Sequence, residues 1–221
     1  RFYHSFTTRY NVFYNGSTAF RDGMDAVMSG NKDYYGEILP LEPISNEGTA
    51  GQGSGNFDRA IEKGEKSVKL HSIRKKPKKK PGRQSAKQKL WQSQKEYNPF
   101  LYRAWLLIGQ AQYWKGEYLE AAATFSYIAR LYENNAKVLP YARIWMARCY
   151  AQLDWFYDAE NSLTLTRTEG YQKRHRRDFD YAQANYLLRQ QRYEEAIPVL
   201  QRVVKQEKNK KQRQRELFLL G

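Results

Sequence analysis

The sequence predicts an all-α protein built as a superhelix of antiparallel helix pairs, an α-α solenoid. Three observations predict it. Apolar residues recur at three- and four-residue spacing, and only seven prolines interrupt 221 residues. Three segments align with one another: GEYLEAAATF at Gly116–Phe125, DWFYDAENSL at Asp154–Leu163 and QRYEEAIPVL at Gln191–Leu200. Their shared alanines, Ala121, Ala159 and Ala196, stand 38 and 37 residues apart, a period that belongs to stacked helical hairpins.

From the N-terminus, residues 5–29 read as one long helix, with Tyr10, Phe13, Tyr14, Ser17, Phe20, Met24 and Val27 as its apolar stripe. A loop follows, with Tyr34–Pro40 (YYGEILP) and then a Gly/Ser-rich stretch, Glu47–Asn56. Phe57–Ile73 reads as the returning helix. Residues 1–73 thus form a divergent N-terminal helical hairpin with a long inter-helix loop. Next comes Arg74–Lys89, with nine basic residues, no acidic one and two prolines. Like charges oppose a packed helix, so residues 74–96 are expected to be a basic flexible linker. A nuclear-localisation patch is the other reading of that run.

Residues 97–213 hold three hairpins. Asn98-Pro99 has the chemistry of a helix start, and Pro140 opens the next unit similarly. Gly116 suits the turn inside its unit. Three residues before each shared alanine stands an aromatic (Tyr118, Phe156, Tyr193), and one residue before it an acid (Glu120, Asp158, Glu195). Four residues after it comes a large apolar residue: Phe125, Leu163, Leu200. Upstream, each unit has a small residue where two helices must approach: Gly109, Ala147, Ala184. Together with Trp105 these resemble the tetratricopeptide consensus. Tyr102–Asn135 matches it closely, whereas the later two units lack the Trp. Pro198 falls inside a predicted helix and removes one hydrogen bond there. Residues 214–221 read as the start of a further, truncated repeat.

The formal charge is +15, from 38 Lys+Arg against 23 Asp+Glu. The excess concentrates in Arg74–Lys89, in Lys173–Arg177 and in Lys205–Arg215 rather than along one face. The lone cysteine, Cys149, sits in a helical pattern and is expected to be a small core residue. No apolar run approaches a membrane span. The chain opens at Arg1 without Met, so a processed or trimmed N-terminus is expected. His4, His71 and His175 lie in different segments, and no spacing suits metal ligation or nucleophilic catalysis. Gly51-x-Gly53-x-Gly55 lacks the strand of a dinucleotide fold. No enzyme activity, cofactor, metal or small-molecule substrate is therefore expected. Positive charge with 18 Tyr keeps nucleic acid as an alternative partner, although most aromatics fall on positions the repeat needs for packing.

In tetratricopeptide units the first helix lines the concave face. Here that face draws Arg103, Leu106, Gln110, Tyr113 and Trp114 from the first unit. The second supplies Tyr141, Ile144, Arg148, Ala151 and Gln152. The third supplies Asp178, Tyr181, Asn185, Leu188 and Arg189. Leu106 and Ile144 also suit the core. The polar and aromatic members form an adaptable protein-binding surface, with Trp114 the sharpest candidate.

Several stretches go beyond the repeat: FTTRYNVFYNG (Phe6–Gly16), KSVKLHSIRKKPKKKPG (Lys66–Gly82), YNPFLYRAWLLIGQAQYWKGEYLEAAATFSYIARLY (Tyr97–Tyr132) and ARIWMARCYAQLDWFYDAE (Ala142–Glu160). These resemble the PorW/SprE family of Bacteroidota outer-membrane lipoproteins. The resemblance implies a periplasm-facing, lipid-anchored scaffold, its anchor upstream of this chain. It implies partners among the ring or motor subunits and the outer-membrane translocon of the type IX protein secretion system, with gliding motility in some species. A generic tetratricopeptide adaptor or envelope assembly factor with other partners is the alternative.

Overall fold

The computed structural model describes residues 13–45, 49, 51–78 and 81–221. Among them are ten α-helices and no strand: α1 (Phe13–Gly30), α2 (Ser54–His71), α3 (Ala86–Gln92), α4 (Leu101–Lys115), α5 (Tyr118–Leu131), α6 (Leu139–Gln152), α7 (Phe156–Glu169), α8 (Arg176–Arg189), α9 (Tyr193–Gln206) and α10 (Lys210–Phe218). Short 3-10 turns lie at Pro43–Ser45 and Lys173–His175. The pairs α1/α2, α4/α5, α6/α7 and α8/α9 pack as hairpins. Each second helix also packs on the first helix of the next pair, and α4, α6 and α8 touch in succession. The result is a helical solenoid.

The three hairpin turns are one structure repeated. Gly116, Asp154 and Gln191 each stand five residues before a shared alanine, and all three are left-handed, with φ of 90°, 58° and 58°. The next residue then donates its N–H five residues back. Glu117 reaches the Gln112 carbonyl at 2.9 Å, Trp155 that of Tyr150 at 2.9 Å, and Arg192 that of Leu187 at 3.0 Å. This closure satisfies carbonyls a helix end leaves open. Only the first unit places glycine there, so the other two bear the strain of a side chain at positive φ.

The aligned columns land in the core. Ala121, Ala159 and Ala196 are buried, as are Phe125, Leu163 and Leu200 and the small residues Gly109, Ala147 and Ala184. Gly109 leaves space that the Phe125 ring fills, since a Cβ there would lie 2.8 Å from Phe125 Cζ. Cys149 is fully buried, which pushes its thiol well above the usual range. Helices α4 and α6 are buried on several sides, because each lies between neighbours.

Four local expectations change. The closest face of α1 is Gly16, Ala19, Gly23 and Val27, whereas Tyr14 is exposed. Backbone approach to α2, lined by Phe57, Ala60 and Gly64, selects small residues over the large stripe. Residues 5–12 of that expected helix lie outside the described residues. Within the expected linker, Ala86–Gln92 is helical, because Ser85 and Gln88 form a reciprocal capping box. Both ends of the excursion are stitched together. The Tyr97 N–H donates to the Ile73 carbonyl at 2.9 Å, and the Glu96 carboxylate accepts from the N–H groups of Ile73 and Asn98, each at 2.8 Å. Hence α2 and α4 pack as though residues 74–96 were a side loop. Helix α4 begins at Leu101, after Asn98 has accepted the Phe100 N–H at 3.0 Å. Finally, α10 starts at Lys210, capped by the Asn209 side chain, rather than near residue 214.

Gly64 tests the packing. A Cβ there would stand 2.5 Å from Ile108 Cγ1 and 3.3 Å from the Ala104 carbonyl oxygen. Gly64→Ala gains about 1 kcal/mol of helix propensity, yet overpacking costs about 1–3 kcal/mol. With a stiff β-branched neighbour the clash wins, so urea denaturation should show a net loss of up to about 2 kcal/mol.

Candidate functional site

The face built by α4, α6 and α8 carries most of the expected groove residues, but it is not open. Residues 33–45, which follow α1, run across it as a strap. At its centre Arg148, from α6, lies under three aromatic rings. Its guanidinium carbon is 4.0 Å from the Trp145 ring centre, 4.8 Å from that of Tyr113 and 5.1 Å from that of Tyr181. The rings come from α4, α6 and α8, so neighbouring hairpins jointly build the box. Into it the strap inserts Glu42. Arg148 Nε and a terminal nitrogen donate to the two carboxylate oxygens, each at 2.9 Å. Glu42 is 0% exposed and Arg148 6%. Burial works against the Arg148 charge, and Glu42, Tyr113 and Tyr181 more than restore it, so its pKa rises. The same burial, and then the Glu42 charge, hold the Tyr113 and Tyr181 hydroxyls well above their ordinary range.

Further bonds fasten the strap on either side. Tyr181 donates its hydroxyl to the Leu41 carbonyl at 2.9 Å, while the Leu41 side chain joins the core of the last two hairpins. Ser45 donates to Gln152 Oε1 at 3.0 Å, and Gln152 also accepts from Arg189 at 3.3 Å. Arg215 of α10 pairs with Asp33 at 2.6 Å and donates to the Pro40 and Leu41 carbonyls at 2.9 and 3.3 Å. Tyr35 meets the Phe218 ring edge-on at 4.8 Å. Helix α1 roofs the other side, leaving a cavity of about 370 Å³ among Phe20, Met24, Met28, Trp114, Arg148 and Tyr181.

The expected groove residues therefore divide. Tyr113, Arg148, Gln152, Tyr181 and Arg189 converge on the strap. Trp114, expected to project into an open groove, is buried against α1 and the strap instead. Gln110 and Tyr141 bond to each other at 3.2 Å, and Tyr141 stacks on His175 at 4.4 Å. Asn185 is buried beside Leu39–Leu41. Arg103 is exposed, its guanidinium over Phe100 and Tyr102. Leu106 and Ile144 are core residues.

Sequence reasoning missed Glu42, Asp33 and Arg215. One signal was present. Ile38–Ile44 is an apolar run inside a loop, broken only by two prolines and Glu42, and a solvated loop has no use for such a run. Among the described residues no group of three or more His, Cys, Asp or Glu could hold a metal, and no helix is long and apolar enough to cross a membrane. No protein-family model and no curated protein matches the chain.

The buried pair has a measurable signature. Removing one partner strands the other charge, at a cost of about 3–5 kcal/mol, whereas replacing both with apolar residues is often neutral. Arg148→Met and Glu42→Leu should each destabilise strongly, and the double variant by less than the sum, in a denaturation cycle.

At the groove's end, Glu216 is fully buried, with Gln212 donating to it at 3.3 Å. Burial and the nearby Glu207 charge push its carboxyl up to about 7. A raised carboxyl favours the folded state while protonated. Its contribution is full below the unfolded pKa near 4.5 and is lost as pH rises towards 7. Glu216→Gln should therefore leave stability unchanged at pH 4 and raise it by about 1–3 kcal/mol at pH 8, measured by thermal unfolding across that range.

Proposed function

We propose that this chain is a non-enzymatic protein-holding scaffold of the tetratricopeptide type. The observation that carries the reading is the repeated hairpin. Three turns share one left-handed closure, and their small-residue columns are buried in register. Such stacking builds an extended concave surface, and solenoids use that surface to hold other chains. The side chains gathered there, aromatic, amide and Arg, are those that anchor protein partners.

The resemblance to PorW/SprE proteins supplies the setting. In that reading the chain belongs to a lipid-anchored protein on the periplasmic face of the bacterial outer membrane. It links periplasmic ring or motor components to the translocon of the type IX secretion system. The basic segments, exposed around Arg74–Lys78 and Lys208–Lys211, supply electrostatic steering towards acidic partners. In a secreting species, crosslinking through the full-length protein should recover ring or translocon subunits, and its deletion should abolish secretion of type IX cargo. Normal cargo secretion in the deletion strain removes the secretion role, and recovery of unrelated envelope proteins favours the general adaptor.

A further inference from the structure

The strap shows what the groove can read. We propose that the Arg148 box is a binding site for an extended peptide bearing a carboxylate directly after an aliphatic residue, and that residues 33–45 occupy it as a tethered competitor. This rests on the protein-holding reading above and specifies the chemistry of the partner.

Four observations carry the argument. First, the contacts are generic to extended chains. The groove takes two backbone carbonyls, of Pro40 and Leu41, through Arg215 and Tyr181. It takes one carboxylate, Glu42, with the aliphatic Leu41 directly before it and Ile44 packed in the core after it. A second peptide with a Leu-Glu step and a following aliphatic residue satisfies the same set. Second, a guanidinium under three rings cannot stand empty, because an unpaired buried charge is strongly unfavourable. Whatever displaces the strap must bring its own carboxylate, and that requirement selects the ligand. Third, the strap is an incomplete match. Beside it lies a cleft of about 580 Å³ lined by Leu39, Leu41, Asn185, Leu188 and Arg189 among others. Of these lining residues, Asn185 Nδ2 and Arg189 Nε are buried without a hydrogen-bond partner. A partner that places an acceptor there gains bonds the strap does not make. Fourth, the strap can lift without unwinding an α-helix. Its leading residues Tyr34, Tyr35 and Ile38 are largely exposed, and its buried anchors, Leu41, Glu42 and Ile44, are the positions a competing peptide would fill.

Tethering gives the strap a roughly millimolar effective concentration, so the wild-type site is closed to weak competitors. The test uses the full chain and a fluorescein-labelled peptide of sequence ILPLEPIS, the chain's own residues 38–45. Anisotropy titration is run on wild type, Glu42→Ala and Glu42→Ala/Arg148→Ala, with helical content checked by circular dichroism. The expected result is binding to Glu42→Ala at least about tenfold tighter than to wild type. That binding should disappear in the double variant, and should weaken at least about tenfold when the peptide's Glu is replaced by Gln. A folded Glu42→Ala chain that binds the peptide no better than wild type overturns the proposal. So does binding indifferent to Arg148. Where Glu42→Ala does not fold, hydrogen exchange of the wild type decides. Faster exchange at the Leu41, Glu42 and Ile44 amides than in α6, accelerated further by excess peptide that takes the strap's place, supports a lifting strap. Exchange in step with α6 overturns it. The titration involves no envelope protein, so a chain that captures the peptide but crosslinks to no secretion subunit keeps this inference and removes only that setting.

Discussion

A charged guanidinium sealed under aromatic rings sets the terms for the rest of the molecule. Arg148 is contributed by the central first-position helix, and its box is completed only when α4, α6 and α8 are stacked. The stack buries the charge, so the stack needs a carboxylate, and no helix of the solenoid provides the one that enters. It comes from the loop between α1 and α2, 106 residues away in sequence. Bringing Glu42 into the groove fixes the path of everything beside it. Leu41 meets the last two hairpins, Pro40 and Leu41 present carbonyls to Arg215, and Asp33 completes a second buried ion pair. The N-terminal hairpin and the final helix are thereby held to the same surface from its two ends.

Two kinds of connection divide the structure between them. Helix ends, turns and small-residue columns act between neighbours in sequence and define each hairpin. The strap acts across 106 to 182 residues and defines how the hairpins sit together. A solenoid stabilised only by nearest-neighbour contacts has no intrinsic reason to resist bending. Bonds from one segment to α6, α8 and α10 supply that resistance, because changing the curvature changes distances that hydrogen bonds hold near 3 Å. The segment that sits on Arg148 therefore also ties α6, α8 and α10 together.

The division explains what the sequence disclosed. The columns at Gly109, Ala121 and Phe125 and their counterparts were legible because each is a local rule repeated, and the helical-hairpin architecture follows from them. Gly116 announced its turn, whereas Asp154 and Gln191 adopt the same left-handed conformation without the residue that advertises it. Helix α3 was masked by the charge run before it, although its Ser85–Gln88 capping box is a purely local signal. The groove was legible only as a set of positions. That Tyr113, Arg148 and Tyr181 would converge follows from the repeat, but the identity of their occupant does not. Pairing Glu42 with Arg148 obeys no spacing rule, and in a chain of 23 acids and 38 strong bases many pairings satisfy charge alone.

Charge balance sharpens this point. The chain is strongly basic, yet the groove is not an open basic surface. Arg148, Arg189 and Arg215 are each matched there by Glu42, Asp154 and Asp33. The excess is carried by segments outside it, above all the run after α2. Long-range attraction and recognition are therefore separated in space. Exposed lysines act through a screened field that favours any acidic partner. The buried arginine acts only on a carboxylate delivered at bonding distance in a fixed plane. Among the aromatic residues that give the chain a nucleic-acid-like composition, Tyr113, Trp145 and Tyr181 face a guanidinium rather than solvent. A surface so arranged discriminates by geometry rather than by total charge, as a site for one extended acidic segment requires.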